Sequence, residues 1–285
     1  MVRFERFRDI LRETGEYHTP AEEARPRLPP LLATPLFTLG LGKIHVRSWW
    51  ETLGKGGRDY YGERWAHSSW RVLHLCEQYG GHIHVAGFQG RIRTKTPVVY
   101  VANHASQLET YLLPCILLSI GGLAVIVKSE IARMPFFGAV ARASRCILVE
   151  RTNPLADLRK VLEDGGRAIQ GEERSVLIFP QSKRHTLFDG DTFNSLGAKL
   201  AQRAGVPMVP VAVKTDFMPL GRVWKDISPI YPARPIRVEC GPSIPSISDT
   251  KTMTAQAVDF IAGKLDDWEK GDGARLLGRK GTAGR

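Results

Sequence analysis

The residues of this chain best placed to do chemistry are His104 and Glu109, in the stretch Asn103-His104-Ala105-Ser106-Gln107-Leu108-Glu109. An imidazole followed closely by a carboxylate can form a His-carboxylate pair. The carboxylate fixes the ring tautomer and stabilises the charge the ring acquires when it takes a proton from an attacking hydroxyl. A structural histidine hydrogen-bonded at a helix start is the plainer reading of the same residues. Two other places carry suggestive polar groups. Glu150-Arg151 closes the apolar run Cys146 to Val149, and Pro180-Gln181-Ser182-Lys183-Arg184-His185 closes Val176 to Phe179.

The elements that must position these groups can be read from the pattern around them. Val98 to Ala102 is apolar and β-branched, as suits a strand covered on both faces. Asn103-His104 ends it, Ser106 can cap the next helix, and Leu108 through Leu118 continues at helical spacing. Strands are expected at His82 to Val85, alternating like an exposed strand, and at Leu123 to Val127, Cys146 to Val149, Ser175 to Phe179, Met208 to Val213 and Ile236 to Glu239. Helices alternate with them: Pro154 to Ile169, with proline at its first turn, Ser195 to Ala204, and Thr252 to Trp268. This succession predicts an α/β domain over residues 81–270 with a largely parallel sheet flanked by helices. Ligands bind beyond the carboxyl ends of such sheets. A base, a guanidinium and a basic cluster should therefore converge at one edge, which suits a hydroxyl-bearing substrate with a phosphate.

Residues 1–80 read differently. A charged leader to about residue 27 is expected to be loose. Residues 28–56 mix apolar groups with Trp49, Trp50, Lys43 and Arg47, a composition suited to a headgroup layer or to packing on the chain's own domain. Tyr61, Trp65, Val72, Leu73 and Cys76 mark a helix over 57–79, so an N-terminal helical subregion is expected. The Gly- and Arg-rich segment 271–285 reads as a mobile basic tail. Leu28 to Ile44 and Tyr111 to Val127 are apolar but broken by prolines and glycines, and a spanning helix wants about 20 apolar residues.

The net charge of +11 over 285 residues points to an anionic partner. No zinc-finger spacing, RNA-binding signature or basic helix with heptads is present, so nucleic acid is not expected. The four cysteines are scattered, without disulfide or zinc spacing, which fits a reducing compartment. His82 and His84 resemble half a metal site, but no third ligand lies at suitable spacing, and no metal is expected.

The order of these segments resembles the 1-acylglycerol-3-phosphate acyltransferase family of glycerolipid acyltransferases, over about residues 80 to 245. Asn103-His104 with Glu109 is similar to the family's N-H-x-x-x-x-D block. Lys128-Ser129-Glu130 through Met134-Pro135-Phe136-Phe137-Gly138 is similar to its basic-proline segment, and Ile147 to Arg151 to its second block. Phe179-Pro180-Gln181-Ser182-Lys183-Arg184 falls on F-P-E-G-T-R, and Val206-Pro207-Met208-Val209-Pro210-Val211 on the apolar V-P-[VI] block. Glu109 stands where the family has Asp, Gln181 where it has Glu, and Ser182-Lys183 where it has Gly-Thr. The extra methylene of Glu109 implies either a helix set further off or a looser pair. The third block is more positive than the family pattern, which hints at a changed acceptor or headgroup.

The resemblance implies direct acyl transfer without a covalent enzyme intermediate, and without a cofactor. His104 would be the base and Glu109 its orienting acid, with backbone N–H groups near the strand ends stabilising the oxyanion. Arg151 and Arg184, helped by Lys128 and Lys183, would hold the acceptor phosphate. Gln181 would contact the glycerol portion or brace Arg184, and Asn103 and Ser182 would complete the substrate-binding set. The donor would be acyl-CoA or acyl carrier protein, and the acceptor a lysophospholipid on an anionic membrane surface. The implied location is cytoplasmic and peripheral, at the inner face of the cell membrane. The alternatives are the same chemistry on another lipid or an amine, and a non-catalytic lipid-binding relative.

Overall fold

The computed structural model describes residues 3–21, 29–53, 60–181, 183–184, 187–221 and 228–281. In chain order its elements begin with α1 (Phe4–Thr14), β1 (Tyr17–His18), α2 (Pro30–Glu51), α3 (Trp65–Gln78), β2 (Ile83–Ala86) and α4 (Gln89–Thr94). Next come β3 (Val99–Ala102), α5 (Leu108–Leu118), β4 (Gly122–Lys128), α6 (Ser129–Arg133), α7 (Phe137–Ala143) and β5 (Ile147–Val149). The last third supplies α8 (Pro154–Gln170), β6 (Arg174–Ile178), α9 (Leu196–Ala204), β7 (Met208–Lys214), β8 (Ile236–Cys240) and α10 (Thr250–Gly281).

The strands form one sheet in the order β1-β2-β8-β7-β3-β6-β4-β5. Five of its seven pairings are parallel, and only β1–β2 and β7–β8 are antiparallel. β3 lies inside it, with β7 on one side and β6 on the other. Its side chains alternate between two cores. Tyr100 and Ala102 face a layer built with Phe7, Phe37, Leu73 and Leu112 of α1, α2, α3 and α5, whereas Val99 and Val101 face a layer built with Val161, Leu200 and Ile261 of α8, α9 and α10. Burial on both faces explains why this strand reads as a continuous apolar run.

Three expectations are corrected. The leader is not loose over its described part: Phe4, Phe7 and Leu11 form a buried stripe on α1, and β1 adds a strand to the sheet, His18 opposite His84. Tyr17 and Thr19 then donate to the buried Glu77 carboxylate at 2.8 and 2.9 Å, tying this segment to α3. The strand at Ile83 is not exposed, because β1 and β8 flank it and Ile83 and Val85 are buried. The C-terminal segment is helical through Gly281, and Asp272 within it accepts hydrogen bonds from Arg237 at 2.7 and 2.9 Å and Lys214 at 2.7 Å.

The proline expected at a first turn opens α8, where Asn153 accepts the N–H groups of Leu155 and Ala156. No helix among the described residues is long and apolar enough to cross a membrane.

Candidate active site

The turn after β3 is held from three directions. Asn103, buried at the strand end, donates to the Val213 carbonyl and accepts the Val213 N–H, both at 2.8 Å. His104 donates its backbone N–H to Gln181 Oε1 at 3.0 Å. The imidazole stacks on Phe179 with ring centroids 4.5 Å apart. Ser106 Oγ accepts the Leu108 N–H and so starts α5.

Glu109 sits in the first turn of α5 and is 0% exposed. Its Oε1 accepts from His104 Nδ1 at 2.9 Å and from the Ser106 N–H at 2.8 Å. Its Oε2 accepts from Ser106 Oγ at 2.9 Å and Thr215 Oγ1 at 2.7 Å. Burial alone would raise this carboxyl. The hydrogen bond and charge of His104, with Thr215 and Ser106 behind them, outweigh it and hold the group below the usual carboxylate range. An ionised carboxylate only accepts, so Nδ1 carries the ring proton and Nε2 is left as the basic nitrogen. The longer arm of glutamate therefore does not loosen the pair.

His104 opens onto a cleft of about 1280 Å³ beyond the carboxyl ends of β3, β6, β4 and β5. Val125, Val127, Leu177, Phe179, Phe137 and Val140 give it apolar walls, and Lys128, Arg151, Lys183 and Arg184 also line it. The groups expected to converge at one edge are brought to one cleft. Arg184 donates to Gln107 Oε1 at 2.7 Å, and Gln107 donates to the Tyr111 hydroxyl at 3.1 Å. The third block is thus tied to the same turn that carries His104. Arg151 takes a positive φ of 60°, held by Asp157, which accepts the N–H groups of Glu150 and Arg151 at 3.0 and 2.7 Å. Lys128 pairs with Glu130 at 2.7 Å.

Two residues expected to touch substrate are used otherwise. Asn103 spends both ends of its amide on Val213. Gln181 is 1% exposed, holds the His104 backbone and donates to Thr192, so it neither braces Arg184 nor reaches the cleft. Ser182 lies outside the described residues. Gln107, Thr215, Asp157 and the cleft-lining Lys199 carry no signal in the sequence as members of this site. Among the described residues no group of three or more His, Cys, Asp or Glu side chains could hold a metal ion; His84 meets His18 instead, Nδ1 to Nδ1, at 3.0 Å. Burial pushes the Cys115 and Cys240 thiols up to about 12.

Residues 83–214 match the Acyltransferase family model. A 1-acyl-sn-glycerol-3-phosphate acyltransferase of Pseudomonas aeruginosa is 29% identical over 133 residues, 45% of this chain and 50% of that protein. A lyso-ornithine lipid O-acyltransferase of Rhizobium meliloti is 27% identical over 183 residues, 60% of this chain and 58% of that protein. The chain thus spans only half or a little more of the length of the curated relatives it matches. The crystal structure of the 1-acyl-sn-glycerophosphate acyltransferase of Thermotoga maritima superposes with a TM-score of 0.55 at 18% identity, covering 85% of this chain and 98% of that one, and so shares its fold. The site built on the end of β3 lies within or beside residues 83–214, the segment that matches the Acyltransferase family model.

Proposed function

We propose that the protein transfers a fatty acyl group from an acyl thioester, acyl-CoA or acyl carrier protein, to the hydroxyl of a lysophospholipid. The favoured acceptor is 1-acylglycerol-3-phosphate, giving phosphatidic acid. The observation that carries this reading is the His104–Glu109 pair opening onto an apolar cleft that cations also line. His104 Nε2 takes the hydroxyl proton as the oxygen attacks the thioester carbonyl. The tetrahedral oxyanion then collapses, the carbon–sulfur bond breaks, and the imidazolium returns its proton to the leaving thiolate. Glu109 balances the imidazolium charge throughout. Arg184, Arg151 and Lys183 would grip the acceptor phosphate, with Lys128 and Lys199 adding positive potential.

A second acceptor has a specific motive. Relatives in Rhizobium meliloti and Brucella abortus are named for lyso-ornithine lipid, and the third block here puts Lys183, which lines the cleft, where the family pattern is Thr. A panel of lysophosphatidate, lyso-ornithine lipid and neutral monoacylglycerol decides between them. The favoured reading expects lysophosphatidate to give the highest kcat/KM. An equal or higher value for an acceptor without phosphate overturns it.

We further infer that the protein works on an anionic membrane surface, peripherally and on the cytoplasmic side. Leu32, Leu36, Leu39, Val46 and Trp50 recur at helical spacing along α2 and are exposed, with Lys43 and Arg47 beside them. Sedimentation with vesicles should rise with anionic lipid content and fall with salt. Binding indifferent to both would contradict this.

A further inference from the structure

Between α6 and α7 the chain turns through Met134-Pro135-Phe136-Phe137. Phe136 has φ 63° and ψ −59°, and the Phe137 N–H donates to the Pro135 carbonyl at 2.7 Å. This is the γ-turn with positive φ at its centre, rare and strained for a residue that has a side chain. Such strain persists only where the surroundings impose it. Here Gly138, the next residue but one, packs so closely on α6 that a Cβ would run into the Ala132 carbonyl oxygen, and Arg142 donates to that same oxygen.

The strained turn sends two adjacent phenylalanines to different places. Phe137 lines the cleft, its ring centroid 4.6 Å from His45 and 6.3 Å from Tyr111. Phe136 and Met134 are 43% and 47% exposed. Phe136 meets Trp49 edge-on at 5.3 Å, and Trp49 meets Trp50 at 6.3 Å. Through these rings the exposed apolar stripe of α2 continues onto the turn. Exposed Lys43, Arg47 and Arg133 border the patch, Arg47 pairing with Glu51 at 3.0 Å and Arg133 with Glu150 at 3.8 Å, in a chain of net charge +11. An apolar patch bordered by cations complements an anionic lipid layer.

We propose that the Met134–Phe137 turn is the port through which lipid passes from the bilayer into the cleft. Met134 and Phe136 enter the acyl layer beside Trp50, and Phe137 forms the inner side of the same opening. An acyl chain moving past them stays in contact with apolar groups and is never exposed to water, where each methylene is unfavourable. The proposal rests on the membrane-surface reading above and adds a place of entry to it.

The test uses the full chain, wild type against Phe136→Gly and against Met134→Ser/Phe136→Ser. Glycine accepts the positive φ, so the first variant removes the ring without adding strain. Each protein is sedimented with vesicles rich in anionic lipid. Each is then assayed with a long-chain lysophosphatidate held in those vesicles and with a short-chain, water-soluble lysophosphatidate. The port predicts sedimentation close to wild type, because the α2 stripe is intact. It predicts a rate at least tenfold lower on the vesicle-held acceptor, and a rate within twofold of wild type on the soluble one. Unchanged rates on vesicles by variants that still sediment would overturn the port and leave the membrane reading standing. Equal losses on both acceptors would also overturn it. Failure of the wild-type protein to sediment would overturn both.

Discussion

Replacing Glu109 with glutamine removes one charge and leaves the shape of the site nearly intact. The amide oxygen can still accept from His104 Nδ1 and the Ser106 N–H, and the amide nitrogen can donate to the Ser106 and Thr215 hydroxyls, which accept as readily as they donate. The counter-charge to the imidazolium is lost. Nδ1 and Oε1 lie 2.9 Å apart, which puts the charge centres about 4 Å from one another. At an effective dielectric constant of about 20 that attraction is about 4 kcal/mol, or about 10³ in rate at 1.36 kcal/mol per decade. In the proposed reaction the ring gains charge as it takes the hydroxyl proton, so the loss is expected on kcat and not on acceptor KM. The assay is thiol release from the acyl thioester at saturating acceptor, with thermal unfolding measured in parallel. A folded Glu109→Gln protein retaining more than a tenth of wild-type kcat would refute the reasoning.

The same carboxylate gives a pH signature. Its folded value lies below its unfolded one, so its contribution to stability is full above the ordinary carboxylate range and is lost as pH falls through the folded value. The Tm difference between wild type and Glu109→Gln should narrow on acidification; a gap that widens would contradict the sign. Gln181→Leu leaves the His104 N–H without its acceptor, which costs about 1–3 kcal/mol of stability, and by freeing the turn should lower kcat at least tenfold; unchanged Tm and kcat would refute it. Arg184→Ala should raise KM for a phosphate-bearing acceptor about 10- to 100-fold, the equivalent of the 1.5–3 kcal/mol typical of a charge-assisted hydrogen bond, and leave KM for a neutral acceptor unchanged; an equal rise for both would remove it from phosphate binding. Partial burial opposes ionisation of Asp272, yet hydrogen bonds from Arg237 and Lys214 hold it at about 2. Asp272→Asn should therefore lower Tm by several degrees at neutral pH, and the two proteins should converge as pH falls from the ordinary aspartate range toward 2.

Much of the site is legible in the sequence because its key contacts are local. His104, Ser106 and Glu109 lie within one turn and the start of one helix, so their spacing alone brings them together. The strand ends that carry Arg151 and Arg184 are visible because buried parallel strands read as apolar runs, and the rule for open sheets places their carboxyl ends at one edge. Roles that depend on distant partners escape such a reading. Asn103 and Gln181 look like substrate contacts, but Asn103 spends its amide on the backbone of Val213, 110 residues away, and Gln181 accepts from the backbone of His104, 77 residues away, and donates to Thr192. Thr215 reaches Glu109 from 106 residues off. The amino-terminal segment escapes for a different reason. Its Arg- and Glu-rich composition hides the short stripe Phe4, Phe7, Leu11, which is amphipathic only when counted at helical spacing.

His104 lines the cleft, and the proposed function makes it the base for acyl transfer. The most direct measurement is the turnover of His104→Ala with acyl thioester and lysophosphatidate, in protein whose circular dichroism and Tm match wild type. A positioned general base contributes about 10²–10⁴, so kcat should fall by at least 10². Turnover within a few-fold of wild type would contradict the account.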